Sequence, residues 1–263
     1  MRLVLVLLFL ASIPAFAQLG RSGDWGRPPQ MNWTLGFQRV QPSLSANLQG
    51  SRDGKASLVD TDADLGLARD GNPLGALLEY QGEAHGFQLT YDSARYRGDR
   101  VLPRAIALDG RPYSAGTPLQ TSAKVEVLEG TWTYKFIRNS DAWLGFDLGV
   151  QILRFDLKAL PLTPTPRAQS ANPTEVVPQV GLTGWSTGAD GLLESRIYAR
   201  YFTYRGATSF RYGVDARAYL YPKFGLRAFF EDGRVRAPGG SLKGDLELRA
   251  DRRITGLGVV VRF

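Results

Sequence analysis

Apolar and polar residues alternate along most of the chain from Leu74 to the final residue. The last ten residues show the pattern most simply, because Leu257, Val259, Val261 and Phe263 fall on one face of an extended strand. Glycine, valine and arginine occupy the opposite face. Similar alternation recurs in segments of roughly ten residues and predicts about nine strands between Leu74 and Phe263.

The connections between these strands alternate in length. Tight turns are predicted near residues 83, 139, 189 and 222, and long connections over 98–120, 159–173 and 233–244. The brief Arg205-Gly-Ala connection is the exception, since it falls on the long-loop side. Strands of about ten residues with short turns on one side and long loops on the other are typical of a transmembrane β-barrel with periplasmic turns and external loops.

The two faces of each strand differ in polarity. Alternation alone does not say which face points into the barrel and which points outward. One face is almost purely apolar, and the other carries Glu, Asp, Arg, Lys and Gln. The chain then ends in an aromatic residue, Phe263. This ending resembles the final strand of bacterial outer-membrane β-barrels. The resemblance implies that Phe263 is an assembly signal read by the barrel-assembly machinery, and that the apolar face meets lipid.

The first residues have the features of an export signal. A positive head, Met1-Arg2, precedes an apolar run, and Ala15-Phe16-Ala17 is a small-x-small cleavage pattern. We therefore expect a signal peptide over residues 1–17, a periplasmic lead-in over 18–31, and a barrel over 32–263. The apolar run is too short to span a bilayer, which takes about 20 residues.

The predicted fold class is all-β, a closed antiparallel transmembrane β-barrel of about ten strands. Closure is required because lipid offers no partner to an open sheet edge. Bacterial single-chain barrels have an even number of strands, so residues 32–67 must add at least one to the nine. If that region supplies three, the barrel has twelve strands.

Composition restricts the chemistry that the chain can carry. The chain has 263 residues, a formal charge of +7 and no cysteine, which excludes disulfides and thiolate chemistry. Its arginines are dispersed through alternating strands, so nucleic-acid binding is not expected. The single histidine, His85, belongs to a predicted periplasmic turn. Outer-membrane hydrolases use an external His, so this placement argues against a hydrolase, and no cofactor or resident metal is expected.

The charged face of the strands should line a narrow lumen, where buried charges must be paired. The predicted lumen charge network consists of Glu129, Lys135, Asp147, Glu194, Arg196, Arg200, Arg211, Asp215, Arg217 and Arg227. Paired carboxylates among them could also serve catalysis, although a structural network is the favoured interpretation. A lumen filled in this way should conduct little.

Two loop features remain. The predicted lipid-contact loop contains Arg97, Arg100, Arg104 and Arg111, which suit lipopolysaccharide phosphates, although a solvated loop is equally compatible. The carboxylates of Asp60, Asp62 and Asp64 alternate as calcium ligands can, yet they lack a calcium-loop spacing, which favours a solvated acidic loop.

The sequence thus predicts a non-enzymatic outer-membrane protein with a structural or surface-interaction role, in contact with lipid and lipopolysaccharide. A small passive or substrate-specific channel is the alternative.

Overall fold

The computed structural model describes residues 33–52, 55–70, 73–108, 111–139, 141–162, 169–171, 174–188, 191–204, 206–237 and 246–263. The predicted signal peptide and lead-in lie outside these residues. Within them the chain forms β1 (Trp33–Arg52), β2 (Lys55–Asp60), β3 (Ala68–Asp70), β4 (Leu74–Gln81), β5 (His85–Val101), β6 (Ile106–Leu108), β7 (Arg111–Tyr113), β8 (Pro118–Arg138), β9 (Ala142–Pro161), β10 (Gln169–Ala171), β11 (Thr174–Gly188), β12 (Leu193–Tyr204), β13 (Ala207–Tyr221), β14 (Phe224–Ala237) and β15 (Leu246–Arg262).

Ten of these strands close into one antiparallel barrel. Each pairs with its neighbours in the order β1-β4-β5-β8-β9-β11-β12-β13-β14-β15, and β15 pairs back onto β1. The prediction of a ten-stranded barrel is therefore confirmed. Residues 32–67 supply one barrel strand, β1, and the short β2, which forms a hairpin with β1. None of the described residues forms a helix long and apolar enough to cross a membrane.

The long connections are shorter than the alternation pattern predicts, because the barrel strands continue beyond the bilayer. β5 continues to Val101 and β8 starts at Pro118, and the hairpin β6–β7 lies between them. β9 reaches Pro161, and β10 pairs with it inside the predicted 159–173 loop. β14 likewise extends to Ala237. Proline at a strand end removes no essential ladder bond, so Pro118 and Pro161 are compatible with these boundaries.

An apolar band surrounds the barrel on its outer face. On β9 it comprises the outward side chains from Leu144 to Ile152, after which Arg154 is the first charged outward residue. Nine strand residues at a barrel tilt rise about 25 Å, the height of a bilayer's apolar core. Corresponding charged residues end the band on other strands, namely Arg39, Glu126, Asp232 and Arg253.

The strands rise to different heights around the external half of the barrel. β8 has 21 residues and β9 has 20, so about half of each rises beyond the apolar band. β12 and β13 end only a few residues above the band, at Tyr204 and Ala207. The external rim is therefore high at β5, β8 and β9, which we call the high wall, and low at β12 and β13. β1 also extends far beyond the band, since it has 20 residues and leaves the band at Arg39.

We expect the position of an outward residue relative to the apolar band to decide assembly, which two identical substitutions on one strand can test. Leu148 points outward within the band and is 45% exposed, whereas Leu160 points outward on the protruding part of β9. Leu148→Arg should destabilise the folded barrel by about 2–4 kcal/mol because the guanidinium meets lipid. Leu160→Arg should fold in lipid vesicles with a yield close to that of the parent. Equal yields for the two variants would contradict the position of the band.

Candidate functional site in the barrel lumen

Charged side chains fill the middle of the barrel. Seven carboxylates face seven guanidiniums across the lumen and form one connected set of ion pairs and hydrogen bonds. The carboxylates belong to Glu79, Asp92, Glu129, Asp147, Glu194, Asp215 and Glu231. The guanidiniums belong to Arg196, Arg200, Arg211, Arg217, Arg227, Arg252 and Arg262. We refer to these residues as the lumen network.

Glu79 is the centre of one half of the network. Its carboxylate is buried and accepts hydrogen bonds from Arg196 and, at 2.8 and 3.1 Å, from Arg217. Arg217 also donates to Asp215 at 3.2 Å, and Asp215 accepts from Arg227 at 3.0 Å. These contacts join β4, β12, β13 and β14, so they tie together strands that are not neighbours in the sheet.

Glu129 and Asp147 hold the other half. Glu129 accepts hydrogen bonds from Arg200 and Arg211. Asp147, which is fully buried, accepts from Thr133 at 2.7 Å, from Thr183 at 2.6 Å and from Arg200 Nε at 3.1 Å. Each carboxylate is therefore satisfied by several donors, which offsets the cost of removing its charge from water.

The structure brings nine of the ten predicted lumen residues into this network. The tenth, Lys135, also points inward, where its ammonium donates to the carbonyl of Gly82 at 2.7 Å and lies 4.9 Å from the Trp143 ring centroid. The sequence prediction omitted Glu79, Asp92, Glu231, Arg252 and Arg262. All five occupy the polar face of an alternating strand. Strand parity, the strict alternation of inward and outward side chains along a strand, therefore identifies them as lumen residues.

Glycine makes room for these large side chains. A Cβ at Gly213 would collide with the ring of Tyr198 on the neighbouring strand. That ring lies 4.6 Å from the Arg200 guanidinium, and its hydroxyl donates to Glu231 at 2.7 Å. The inward glycine therefore allows an aromatic ring to stack inside the network.

A floor of cations and aromatic rings closes the periplasmic end. The Arg262 guanidinium stacks 3.2 Å from the ring centroid of Tyr219 and lies 2.8 Å from Glu194. Beside it, the rings of Trp143 and Trp185 stack with centroids 6.1 Å apart. Arg262, Tyr219 and Trp143 are all buried, so this end offers no opening through them.

An external cap closes the other end. Its described residues are β2, the turn 61–67 and the segments 102–108 and 111–117, which include β6 and β7. Its apolar residues pack against the inward face of the high wall. The buried residues of this core are Val59, Leu65, Leu102 and Ile106 from the cap and Ala94, Tyr96, Leu119, Ala123, Val125, Val127, Leu157 and Ala159 from the wall.

Polar contacts fasten the cap. The Asp64 carboxylate is buried and accepts from both nitrogen ends of the Arg104 fork, with the Nε contact at 2.9 Å, and from the Asp60 amide at 2.8 Å. Arg100 donates to the Asp62 carbonyl at 3.0 Å, and Thr121 donates to the Leu65 carbonyl at 3.1 Å.

These contacts concern two of the expectations about the loops. The cluster Asp60, Asp62 and Asp64 is not a uniformly solvated loop, because Asp64 is buried and Asp60 accepts the amides of Asp62 and Ala63. No group of three metal-ligating side chains occurs among the described residues. Arg100 and Arg104 face the cap, whereas Arg97 lies exposed on β5, and only the backbone of Arg111 is described.

His85 lies at the first residue of β5, at the tight-turn end of the barrel. Its ring is exposed on the outer face and stacks on Trp132 at 5.4 Å and near Tyr134 at 5.5 Å. Outward aromatic rings at this end are Trp33, Tyr80, Phe87, Trp132, Tyr134, Phe136, Phe224 and Phe263. His85 thus belongs to an interfacial girdle and is remote from the lumen network.

The barrel closes at the chain's last residue. Phe263 and Trp33 exchange two backbone hydrogen bonds, of 3.0 and 3.1 Å, and the Phe263 side chain is exposed on the outer face. An outward aromatic side chain at this position is available to a partner during biogenesis. The role of Phe263 as an assembly signal stays a prediction.

Two small cavities adjoin each other inside the barrel. One, of about 20 Å³, lies beneath the cap, and the other, of about 30 Å³, lies within the network. Each has room for only one to a few water molecules. Neither forms a continuous aqueous passage through the described part of the barrel.

No family model matches this sequence, and no curated protein matches it. Among solved structures, the outer-membrane protease OmpT of Escherichia coli superposes with a TM-score of 0.58 at 10% identity, covering 89% of this chain and 97% of that chain. The translocator domain of the autotransporter NalP from Neisseria meningitidis gives a TM-score of 0.46 at 11% identity, covering 100% of this chain and 96% of that one. The β domain of the Bordetella autotransporter BrkA gives 0.43 at 17% identity, covering 87% and 98%.

The OmpT superposition shows a shared fold, that of an outer-membrane β-barrel. At 10% identity it carries no activity over to this chain. The apolar outer band and the charged interior have the polarity that this membrane environment requires.

Removing one carboxylate should expose how strongly the network stabilises the barrel. Glu79→Gln leaves Arg196 and Arg217 without their shared anion, which should cost about 3–5 kcal/mol of unfolding free energy. Glu126→Gln is the control, since this outward carboxylate pairs with Lys124 on the barrel surface, where a pair contributes less than about 1 kcal/mol. Denaturant unfolding in lipid vesicles measures both, and similar losses would contradict the network's role.

The hydrogen bonds that the Asp64 carboxylate accepts from Arg104 and the Asp60 amide, which we call the cap clasp, should be lost as the pH falls. Burial by itself raises the pKa of Asp64, but the hydrogen bonds from Arg104 and the Asp60 amide, with the charges of Arg104 and Arg100, outweigh it and lower the pKa below the usual 3.8. The clasp is therefore fully present above that value and is lost as the pH falls through the lower, folded-state pKa.

Accordingly, Asp64→Asn should weaken the cap at neutral pH by about 1–3 kcal/mol. Backbone hydrogen exchange should rise at cap amides such as those of Leu65 and Gly66 and stay unchanged in the lumen strands. Asp62→Asn is the matched control, because the Asp62 side chain is exposed. Unchanged cap exchange in Asp64→Asn would show that the apolar contacts alone hold the cap.

Proposed function

We propose that this outer-membrane β-barrel is a non-conducting surface protein that binds outer-leaflet lipopolysaccharide through its outer wall. By outer wall we mean the outward-facing surface of the strands above the apolar band. The observation that carries the first part is the obstruction of the lumen at three levels. The aromatic floor, the lumen network and the capped apolar core lie in series along the barrel axis. A solute would have to break paired charges at the network before it could pass.

The channel alternative makes a different prediction in the same experiment. In planar bilayers containing the purified barrel, we expect no discrete conductance steps in concentrated potassium chloride, because the described cavities hold only a few waters. A well-characterised porin reconstituted in parallel confirms that the bilayers report insertion. Stable single-channel steps from the folded protein would contradict the non-conducting proposal and favour a channel. The folded protein is recognised by heat-modifiable migration, that is, by a gel mobility that changes when the sample is boiled.

Basic side chains on the outer wall support the lipid part of the proposal. On β14 and β15, just above the band, Asp232 opposes Arg253 and Arg234 opposes Asp251, with nitrogen–oxygen distances of 3.6 and 3.5 Å. The next pair places the exposed Arg236 directly opposite the exposed Arg249.

Exposed guanidiniums at opposed positions concentrate positive charge on this part of the barrel surface. Phosphate suits such a surface, because guanidinium donates to its oxygens in a bidentate manner. Arg97 on β5 belongs to the same proposal, since it also lies exposed on the outer wall. We leave Arg100 and Arg104 out of it, because their guanidiniums donate to Asp62 and Asp64 within the cap.

Two sets of arginine substitutions separate the wall from the cap. Replacing Arg234, Arg236, Arg249 and Arg253 by Gln should lower the lipopolysaccharide that co-purifies with the barrel several-fold, without loss of heat-modifiable migration. Replacing Arg100, Arg104 and Arg111 by Gln should leave the co-purified lipid unchanged. The reverse outcome would favour the loop contact that the sequence predicts, and no change in either set would contradict a lipopolysaccharide site at these arginines.

A further inference from the structure

The two small cavities meet at the external end of the lumen network. Both are lined by Asp92, Val127 and Arg252, so they form one hollow with two kinds of wall. The upper part is lined chiefly by apolar side chains, and the lower part by the network. The hollow lies directly beneath the cap, where the barrel interior changes from apolar to charged.

Arg252 differs from every other guanidinium in the lumen network. Its nitrogens lie 3.7 Å from Asp92 and 3.8 Å from Glu231, which is beyond hydrogen-bond length. The other six guanidiniums each donate or approach a carboxylate at 3.1 Å or less. Arg252 therefore lies close enough to Asp92 and Glu231 for its charge to be balanced, but it donates a hydrogen bond to neither of them.

Asp92 differs in the same way from the other carboxylates. It accepts one hydrogen bond from the Gln38 amide at 3.2 Å, and its nearest described cation is the unbonded Arg252. Asp92 and Arg252 are also the most exposed charges of the network, with side chains 16% and 19% accessible against 10% or less for the rest. Part of each of these two side chains thus faces the hollow, whereas the paired charges below are more fully enclosed.

An apolar wall stands beside the pair. Val40, Ala94, Tyr96, Val125 and Val127 line the upper part of the hollow, and all five are 8% exposed or less. They belong to β1, β5 and β8, which carry the cap at their external ends. A carboxylate and a guanidinium without a mutual hydrogen bond therefore lie at the foot of an apolar surface.

We propose that this hollow binds a small zwitterion with an apolar side chain, namely an apolar α-amino acid. Its ammonium group donates to Asp92, its carboxylate accepts from Arg252, and its side chain contacts Val40, Val125 and Val127. Insertion of the ligand breaks no hydrogen bond between Asp92 and Arg252, because the two side chains do not share one. Both ends of the ligand then gain charge-assisted hydrogen bonds away from bulk water.

The size of the hollow sets a condition on binding. Its two parts, of about 20 and 30 Å³, are too small for a whole leucine molecule in the closed barrel. The cap must therefore shift outward, since Leu65 and Leu102 pack in the core above the apolar wall. Binding should consequently alter hydrogen exchange at the cap amides. It should also give a heat of binding that calorimetry detects.

Isothermal titration of the full barrel in detergent tests the proposal directly. Leucine should bind, alanine should bind at least several-fold more weakly because it buries less apolar surface, and neither hexylamine nor hexanoate should compete with leucine. Competition by either single-charge compound as effective as leucine itself would overturn the zwitterion assignment. No binding of leucine, with no change in cap exchange, would overturn the site.

Two conservative variants locate the binding to this pair. Arg252→Gln and Asp92→Asn should each weaken leucine binding about tenfold or more, while Arg234→Gln on the outer wall should leave it unchanged. Heat-modifiable migration confirms folding of each variant. Unchanged affinity in a folded Arg252→Gln barrel would overturn the proposal, and if a variant fails to fold, the ligand series on the parent protein still decides. Conductance and lipopolysaccharide retention are measured separately, so failure here leaves the proposed function intact.

Discussion

Pairing of charges inside a closed sheet is the constraint on which the rest of this structure depends. Because strand side chains alternate, a barrel that shows an apolar face to lipid must turn every other residue inward. In ten strands the interior is too narrow for those residues to reach bulk water. Each inward charge must therefore find an opposite charge within the barrel, and Glu79 and Glu129 meet two guanidiniums each.

The same constraint determines how the interior is layered. Charges occupy the part enclosed by the apolar band, where they connect non-adjacent strands. Beyond the band the wall is no longer surrounded by lipid, and the inward face becomes apolar because the cap supplies its partners. The protein thus has two cores of opposite character, with Asp92 and Arg252 at the boundary between them. That boundary is the place where the hydrogen bonding of the network is least complete.

Much of this architecture could be predicted from the sequence, because its cause is periodic. Strand parity identifies the apolar band, the ten strands and most of the lumen charges, including Arg217 and Asp215. The cap could not be predicted in this way. Its residues Leu65 and Leu102 belong to irregular segments, and their partners on β8 and β9 are more than fifteen residues away in sequence. Arg104 likewise pairs with Asp64 through a contact spanning 40 residues, which no local pattern encodes.

The external ends of β5, β8 and β9 could not be predicted from the sequence for a related reason. Alternation on β5, β8 and β9 becomes polar on the outer face above the band, so the protruding segments resemble loops in composition. Only their inward residues, such as Val125 and Leu157, retain the periodic apolar signal.

The position of Arg252 and Arg262 on the final strand has a consequence for the charge balance of the barrel. Both guanidiniums lie in the lumen because β15 pairs with β1 and β14 and so closes the sheet. Without β15, Glu194 lacks one of its two cations, and Asp92 lacks its nearest described one. A chain that has lost its last strand therefore holds a surplus of negative charge inside an open sheet. Electroneutrality of the lumen thus depends on β15, the strand that closes the barrel.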